Sequence, residues 1–214
     1  MMKDRIRQIV KQNAEEIRAI RRHLHANPEL SFKEFETSKY VCAALDKWGI
    51  PYQNGFVETG IVALIEGKNP SKKVVALRGD MDALPIVEEN NVPYRSKNEG
   101  VMHACGHDVH TSCVMGVAKA LHSIKDEFEG TVKIIFQPGE ERLPGGASLM
   151  IKEGALENPK PVSIVGQHVL PELEVGKVGF RAGIYMASAD EVHFTVKGKG
   201  GHAALPHYTI DPVL

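Results

Sequence analysis

Residues 103–110 read His-Ala-Cys-Gly-His-Asp-Val-His, placing three histidines, one cysteine and one aspartate within eight positions. Thiolate and imidazole together suit zinc and its first-row neighbours. Cys105 and His107 are two apart with Gly106 between them. In an extended or tightly turned segment both donors can face one centre, and the glycine relieves crowding. His103 and His110 are placed to hold such ligands by hydrogen bonds. Asp108 falls where a helix N-cap is wanted, which gives it a structural role.

Further donors follow. Gln137-Pro138-Gly139-Glu140-Glu141 closes an apolar run. Adjacent carboxylates diverge from a regular element, so they suit a division of labour. One binds a cation, and the other takes a proton from the water that the cation acidifies. Gly166-Gln167-His168 ends the next apolar run. In Arg78-Gly79-Asp80-Met81-Asp82, Asp80 and Asp82 can point one way, toward a ligand or to orient one; a solvated turn is the alternative. The glycine-rich stretch 197–202 presents His202 but lacks the spacing and the Lys-Ser/Thr ending of a nucleotide-phosphate loop.

These groups need elements to aim them. Ile6, Ile9, Val10, Ile17, Ile20 and Leu24 recur at helical spacing, and Asn27-Pro28 ends that helix. Ser31 and Glu34 have the form of a capping box for a second helix, stopped at Gly49. Apolar strands are expected at 61–65, 74–77, 132–136, 162–165, 175–180 and 192–196. Helices are expected at 108–124 and 147–153. Strands alternating with helices predict an α/β domain with a largely parallel sheet flanked by helices. Functional groups in such sheets gather at the carboxyl ends of the strands, where these donors fall.

Composition narrows the partners. The 214 residues carry a formal net charge of -1, so neither nucleic acid nor an anionic membrane is expected as a partner. The apolar runs are strand-sized, and 1–10 lacks the apolar stretch of a secretory signal, so the expected location is cytoplasmic. Cys42, Cys105 and Cys113 make an odd count that fits reduced thiols.

In order along the chain come Arg22-His23-Leu24-His25-Ala26-Asn27-Pro28-Glu29-Leu30, Arg78-Gly79-Asp80-Met81-Asp82-Ala83-Leu84-Pro85, 102–110, 137–141 and 198–206. Together they resemble the metal-dependent amidohydrolases that include aminoacylases, hippurate hydrolases, indole-acetyl-amino-acid hydrolases and N-acetyl-diaminopimelate deacetylases. The resemblance runs from about residue 20 to 213 and is specific for the family, not for a substrate. It implies a zinc-peptidase-like catalytic domain over 1–183 and the start of a smaller α+β lid and dimerisation domain over 184–214. It also implies two divalent ions (Zn, Mn, Co or Ni), with Cys105, His107, Glu141 and His168 as ligands and Glu140 as general base. His202 would bind the oxyanion, and Asp82 would support the site. The implied substrate is a small N-acyl amino acid, and the implied full-length assembly is a homodimer.

Members of that family are considerably longer, with a further ligand histidine and more sheet strands. The chain alone is therefore expected to show weak or absent activity, with sheet edges uncovered and a ligand unsupplied. An inactive fragment, or a non-catalytic metal-binding or assembly module, is the alternative. A Cys105 nucleophile would leave Glu140, Glu141 and His168 without a task.

Overall fold

The computed structural model describes residues 2–188 and 190–213. The chain divides into two compact units, Met1–Leu170 and Pro171–Leu214.

In the first unit α1 (Met2–Ala26) buries Ile9, Ile20 and Leu24 at helical spacing. Helix α2 (Phe35–Trp48) buries Val41 and Leu45 and stops at Gly49, whose φ of 69° is left-handed. The strands are β1 (Tyr52–Phe56), β2 (Gly60–Glu66), β3 (Val74–Asp80), β4 (Thr131–Gln137) and β5 (Ser163–Gly166). Helix α3 (His107–Ser123) lies between β3 and β4, and α4 (Gly146–Lys152) between β4 and β5.

The five strands form one sheet in the order β1-β2-β4-β3-β5. It is mixed: β1-β2 and β2-β4 are antiparallel, whereas β3 runs parallel to both β4 and β5. Side chains alternate across it, as the pleat requires. Ile61, Ala63, Ile65, Ile134 and Phe136 pack with Ile20 and Leu24 of α1, Val41 and Leu45 of α2, and Met115 and Ala118 of α3. Val62, Ala76 and Ile135 face the other way, onto Met150 of α4 and Ala155.

Register decides where the chemistry gathers. Asp80 pairs with Gln137 and Arg78 with Gly166, so the three parallel strands end side by side. Gly79 lets α3 approach that edge: a Cβ there would stand 3.1 Å from the His110 carbonyl oxygen.

Three expectations are corrected. The capping box does not form: Ser31 and Glu34 turn elsewhere, and Glu29 caps α2 by accepting the N–H groups of Glu36 (3.1 Å) and Thr37 (2.8 Å). Asp108 is not the cap of α3, because Gly106 takes that place at φ 86°. The segments 175–180 and 192–196 are not strands. In the second unit the described residues make one 3-10 turn (Pro206–Tyr208) and one bridge, Lys199 to Ile210. Alternation marks a strand only where a neighbouring strand takes up its backbone groups, and among the described residues these segments have none.

Asp108 instead meets α1. His25 Nδ1 lies 2.8 Å from Asp108 and His25 Nε2 lies 3.1 Å from Glu88, with Arg21 also beside Asp108. An imidazole facing carboxylates through both nitrogens is best satisfied as imidazolium. The Asp108 hydrogen bond raises its pKa above 6.5 against the opposing effect of burial, with Glu88 adding to the rise. A raised folded-state pKa gives stability that is complete below about 6.5 and lost as pH climbs through the folded value. Urea midpoints are therefore expected to fall between pH 6 and 9 more in the wild-type chain than in His25→Gln. Parallel pH profiles for the two would refute that role.

Among the described residues no helix is long and apolar enough to cross a membrane. Cys42, Cys105 and Cys113 are free thiols.

Candidate metal centre

The edge where β3, β4 and β5 end receives the first turn of α3, and His107 stands at the middle. Its ring is 1% exposed. Nδ1 lies 3.3 Å from Asp82 Oδ1, and a carboxylate there calls for the ring proton on Nδ1. That leaves a lone pair on Nε2, which lies 3.6 Å from Asp80 Oδ2, 3.7 Å from Glu141 Oε1 and 4.0 Å from Glu140 Oε2. Among the described residues neither His107 Nε2 nor Glu141 Oε1 has a hydrogen-bond partner, though both are buried. Buried donors left unpaired and converging are what a cation site requires.

His168, just past β5, is aimed in the same manner. Its Nδ1 donates to the Val169 carbonyl at 2.7 Å, since a carbonyl can only accept. The lone pair then sits on Nε2, 3.3 Å from Cys105 Sγ. One atom each of Cys105, His107 and His168 lies within 4.8 Å of the others, and the same holds for His107, Glu140 and Glu141. A third set is Asp80, His107 and His110.

His110 is occupied otherwise. The Val169 N–H donates to its Nε2 at 3.0 Å, so its proton sits on Nδ1 and goes to Asp80 Oδ1 at 2.7 Å. His110 thus ties the β5 exit, and with it His168, to the β3 exit. Asp80 also accepts from Arg78 at 2.5 Å, and Arg78 reaches Gln137 at 2.8 Å. His103 does not hold a ligand by the hydrogen bond expected of it: it is buried, and among the described residues neither ring nitrogen has a partner. Burial first of all takes its pKa down to about 4.

Asp82 joins two loops. Its Oδ2 accepts the Ser31 hydroxyl at 2.7 Å and the Glu141 N–H at 3.0 Å, while Oδ1 faces His107. Burial works against its charge, yet the bonds from His107, Ser31 and the Glu141 and Glu140 backbone hold it down to about 2. Glu140 sits at the rim with its side chain 43% exposed. Burial raises its pKa, and the negative charges of Asp80 and Glu141 add to the rise.

Cys105 rests in negative surroundings. Burial, then Glu141, Glu140 and Asp80, push its thiol up to about 12. Reactive cysteines need positive surroundings, so a free Cys105 nucleophile is disfavoured. A cation inverts that logic, because a coordinating thiol is deprotonated outright. The residues fit a divalent ion of borderline softness.

Cys105, His107, Glu140, Glu141, His168 and Asp82 all belong to the first unit. His202 belongs to the second, exposed, with its Nδ1 accepting the Ala204 N–H at 3.1 Å. Ser31 and Thr59 carry no ligand-like signal in the sequence. Only the folded contacts tie Ser31 to Asp82 and Thr59 to Glu34.

The family model for Peptidase family M20/M25/M40 matches residues 76–213. The chain is 43% identical over 213 residues to the N-acyl-L-amino acid amidohydrolase of Geobacillus stearothermophilus, covering 100% of this chain and 57% of that protein. It is 43% identical over 195 residues to the N-acetyl-L-cysteine deacetylase of Bacillus subtilis (strain 168), covering 91% of this chain and 46% of the relative. Among solved structures, the Bacillus subtilis YXEP protein, described as a dinuclear metal binding peptidase from the M20 family, superposes with a TM-score of 0.76. The identity there is 41%, over 81% of this chain and 48% of that one. The chain spans about half the length of the relatives it matches. The match of this family model over most of the chain, onto a strand edge that gathers cation-type donors, makes it a member of Peptidase family M20/M25/M40.

Proposed function

We propose that this chain supplies the metal-holding part of a hydrolase that cleaves the amide bond of N-acyl amino acids. The observation that carries this reading is the unpaired, buried His107 Nε2 with Asp80, Glu140 and Glu141 oxygens gathered round it. Cys105, His107, Glu141 and His168 would hold two divalent cations; zinc, manganese, cobalt and nickel all accept one thiolate among nitrogen and oxygen donors. When bound, such ions lower the pKa of a water and polarise a carbonyl.

The protein's own groups then divide the work. Glu140, half-exposed beside His107, takes the proton from the attacking water and later delivers it to the departing amine. Asp82 keeps the His107 lone pair facing inward, and His110 holds the β5 exit in place. His202 belongs to the lid-type portion that begins near residue 184, where it would stabilise the oxyanion in a full-length homodimer. Three free thiols suit a cytoplasmic location.

The test pairs elemental analysis with a panel of N-acyl amino acids. It is run on this chain and on the chain joined to the additional sequence that its relatives carry. Two equivalents of metal in either form, with amine release from the joined form, is the expected result. Metal uptake without hydrolysis of any panel member by the joined form would leave a metal-binding module. No metal in either form would end the reading altogether.

A further inference from the structure

Glu34 is a carboxylate with no exposed surface. Three groups donate to it, each from a different segment. Its Oε1 accepts the Gly139 N–H at 2.8 Å and the Phe32 N–H at 2.9 Å. Its Oε2 accepts the Thr59 hydroxyl at 2.8 Å. The side chain thus acts purely as an acceptor, joining the 29–34 connection, the β1–β2 turn and the exit of β4. Burying an ionisable side chain is costly unless hydrogen bonds offset the loss of water, and these three donors do so.

The contact with the β4 exit is close. Gly139 has φ 56°, and a Cβ on it would stand 2.4 Å from the Phe32 ring. Phe32 itself has φ 64°, a left-handed conformation that a bulky residue adopts only when its surroundings enforce it. From the other side, the Gly146 N–H donates to the Gly139 carbonyl at 2.8 Å. The next two residues of this clamped turn are Glu140 and Glu141. The same 29–34 connection also steers the other loop of the site: Ser31 donates to Asp82, and Ala83 N–H donates to the Glu29 carbonyl at 2.8 Å.

We propose that Glu34 is a positioning residue, whose buried carboxylate sets the 138–141 turn and thereby places Glu140 and Glu141 around His107. This deepens the metal-hydrolase reading and rests on it for the roles of those two carboxylates. The placement of the turn itself does not depend on metal.

The experiment uses the 214-residue chain and two readouts, amide hydrogen exchange at Gly139 and cobalt(II) titration followed by its thiolate absorption band. Glu34→Gln preserves the pattern: its carbonyl oxygen can accept both N–H groups, and its amide can donate to the Thr59 oxygen. Glu34→Ala strands three donors. It is expected to speed exchange at Gly139 by about tenfold and to weaken cobalt binding by about tenfold, with Glu34→Gln restoring both. Ile9→Ala thins a separate apolar cluster with Ala120 and Ile124, so it should lower the melting temperature and leave both readouts unchanged.

A Glu34→Ala chain that melts earlier while keeping wild-type exchange and cobalt affinity overturns the proposal, because its role is then general stability. Should Glu34→Ala fail to fold, Glu34→Asp decides. Its acceptor is one methylene short, and wild-type behaviour in both readouts would refute positioning. If the wild-type chain takes up no cobalt, the metal reading fails, while exchange at Gly139 still judges Glu34.

Discussion

Glu140→Gln is expected to cut hydrolysis of N-acyl amino acids by ~10²–10⁴-fold while leaving the bound metal in place. The substitution keeps size and shape and removes only the capacity to accept a proton. Glu140 suits that capacity better than its neighbour. Its side chain is 43% exposed where that of Glu141 is 21%, so Glu140 faces incoming water and substrate. Glu141 carries the buried oxygen that has no hydrogen-bond partner among the described residues, which suits a cation ligand. Metal content by elemental analysis and amine release by a ninhydrin-type assay, both on the joined form described above, separate the two roles. A variant that keeps full turnover removes Glu140 from the chemistry. One that loses its metal makes it a ligand.

The parts of this arrangement that a sequence reader can find are those whose signal is local. Cys105, Gly106 and His107 are adjacent, and each apolar run that precedes Asp80, Gln137 and His168 announces its own end. Strand periodicity and the register of β3 with β4 then bring the ends together, as parallel pairing requires. What escapes is long-range. Ser31 and Glu34 fit a capping box by spacing, yet Ser31 bonds Asp82, 51 residues away, and Glu34 bonds Gly139, 105 residues away. A local pattern offers an acceptor for a helix end. The folded chain found donors for it elsewhere and gave the cap to Glu29. Asp108 departs from its cap position for the same reason, since Gly106 already supplies the left-handed residue at the start of α3 and frees Asp108 to meet His25. The segments 175–180 and 192–196 show the converse, because alternation is a property of side chains while a strand is a property of pairing.

Asp82→Asn is expected to weaken divalent-metal binding by about 10- to 100-fold without unfolding the chain. The aspartate accepts on both oxygens: Ser31 and the Glu141 N–H at Oδ2, the His107 ring at Oδ1. An asparagine can satisfy only one side. With its oxygen toward Ser31 and Glu141, its amide faces His107 Nδ1, which must then offer a lone pair. The ring proton moves to Nε2, onto the atom that points at Asp80, Glu140 and Glu141, and closes it to a cation. With its oxygen toward His107, the amide meets the Glu141 N–H, and the turn bearing that ligand loses its tether. Either orientation also removes a negative charge that the fold keeps ionised down to about pH 2. Competition titration with a chromophoric chelator reads the affinity, and circular dichroism reports the fold. Wild-type affinity in a folded Asp82→Asn chain would mean that His107 is not held through Asp82. The inward lone pair would then have some other cause.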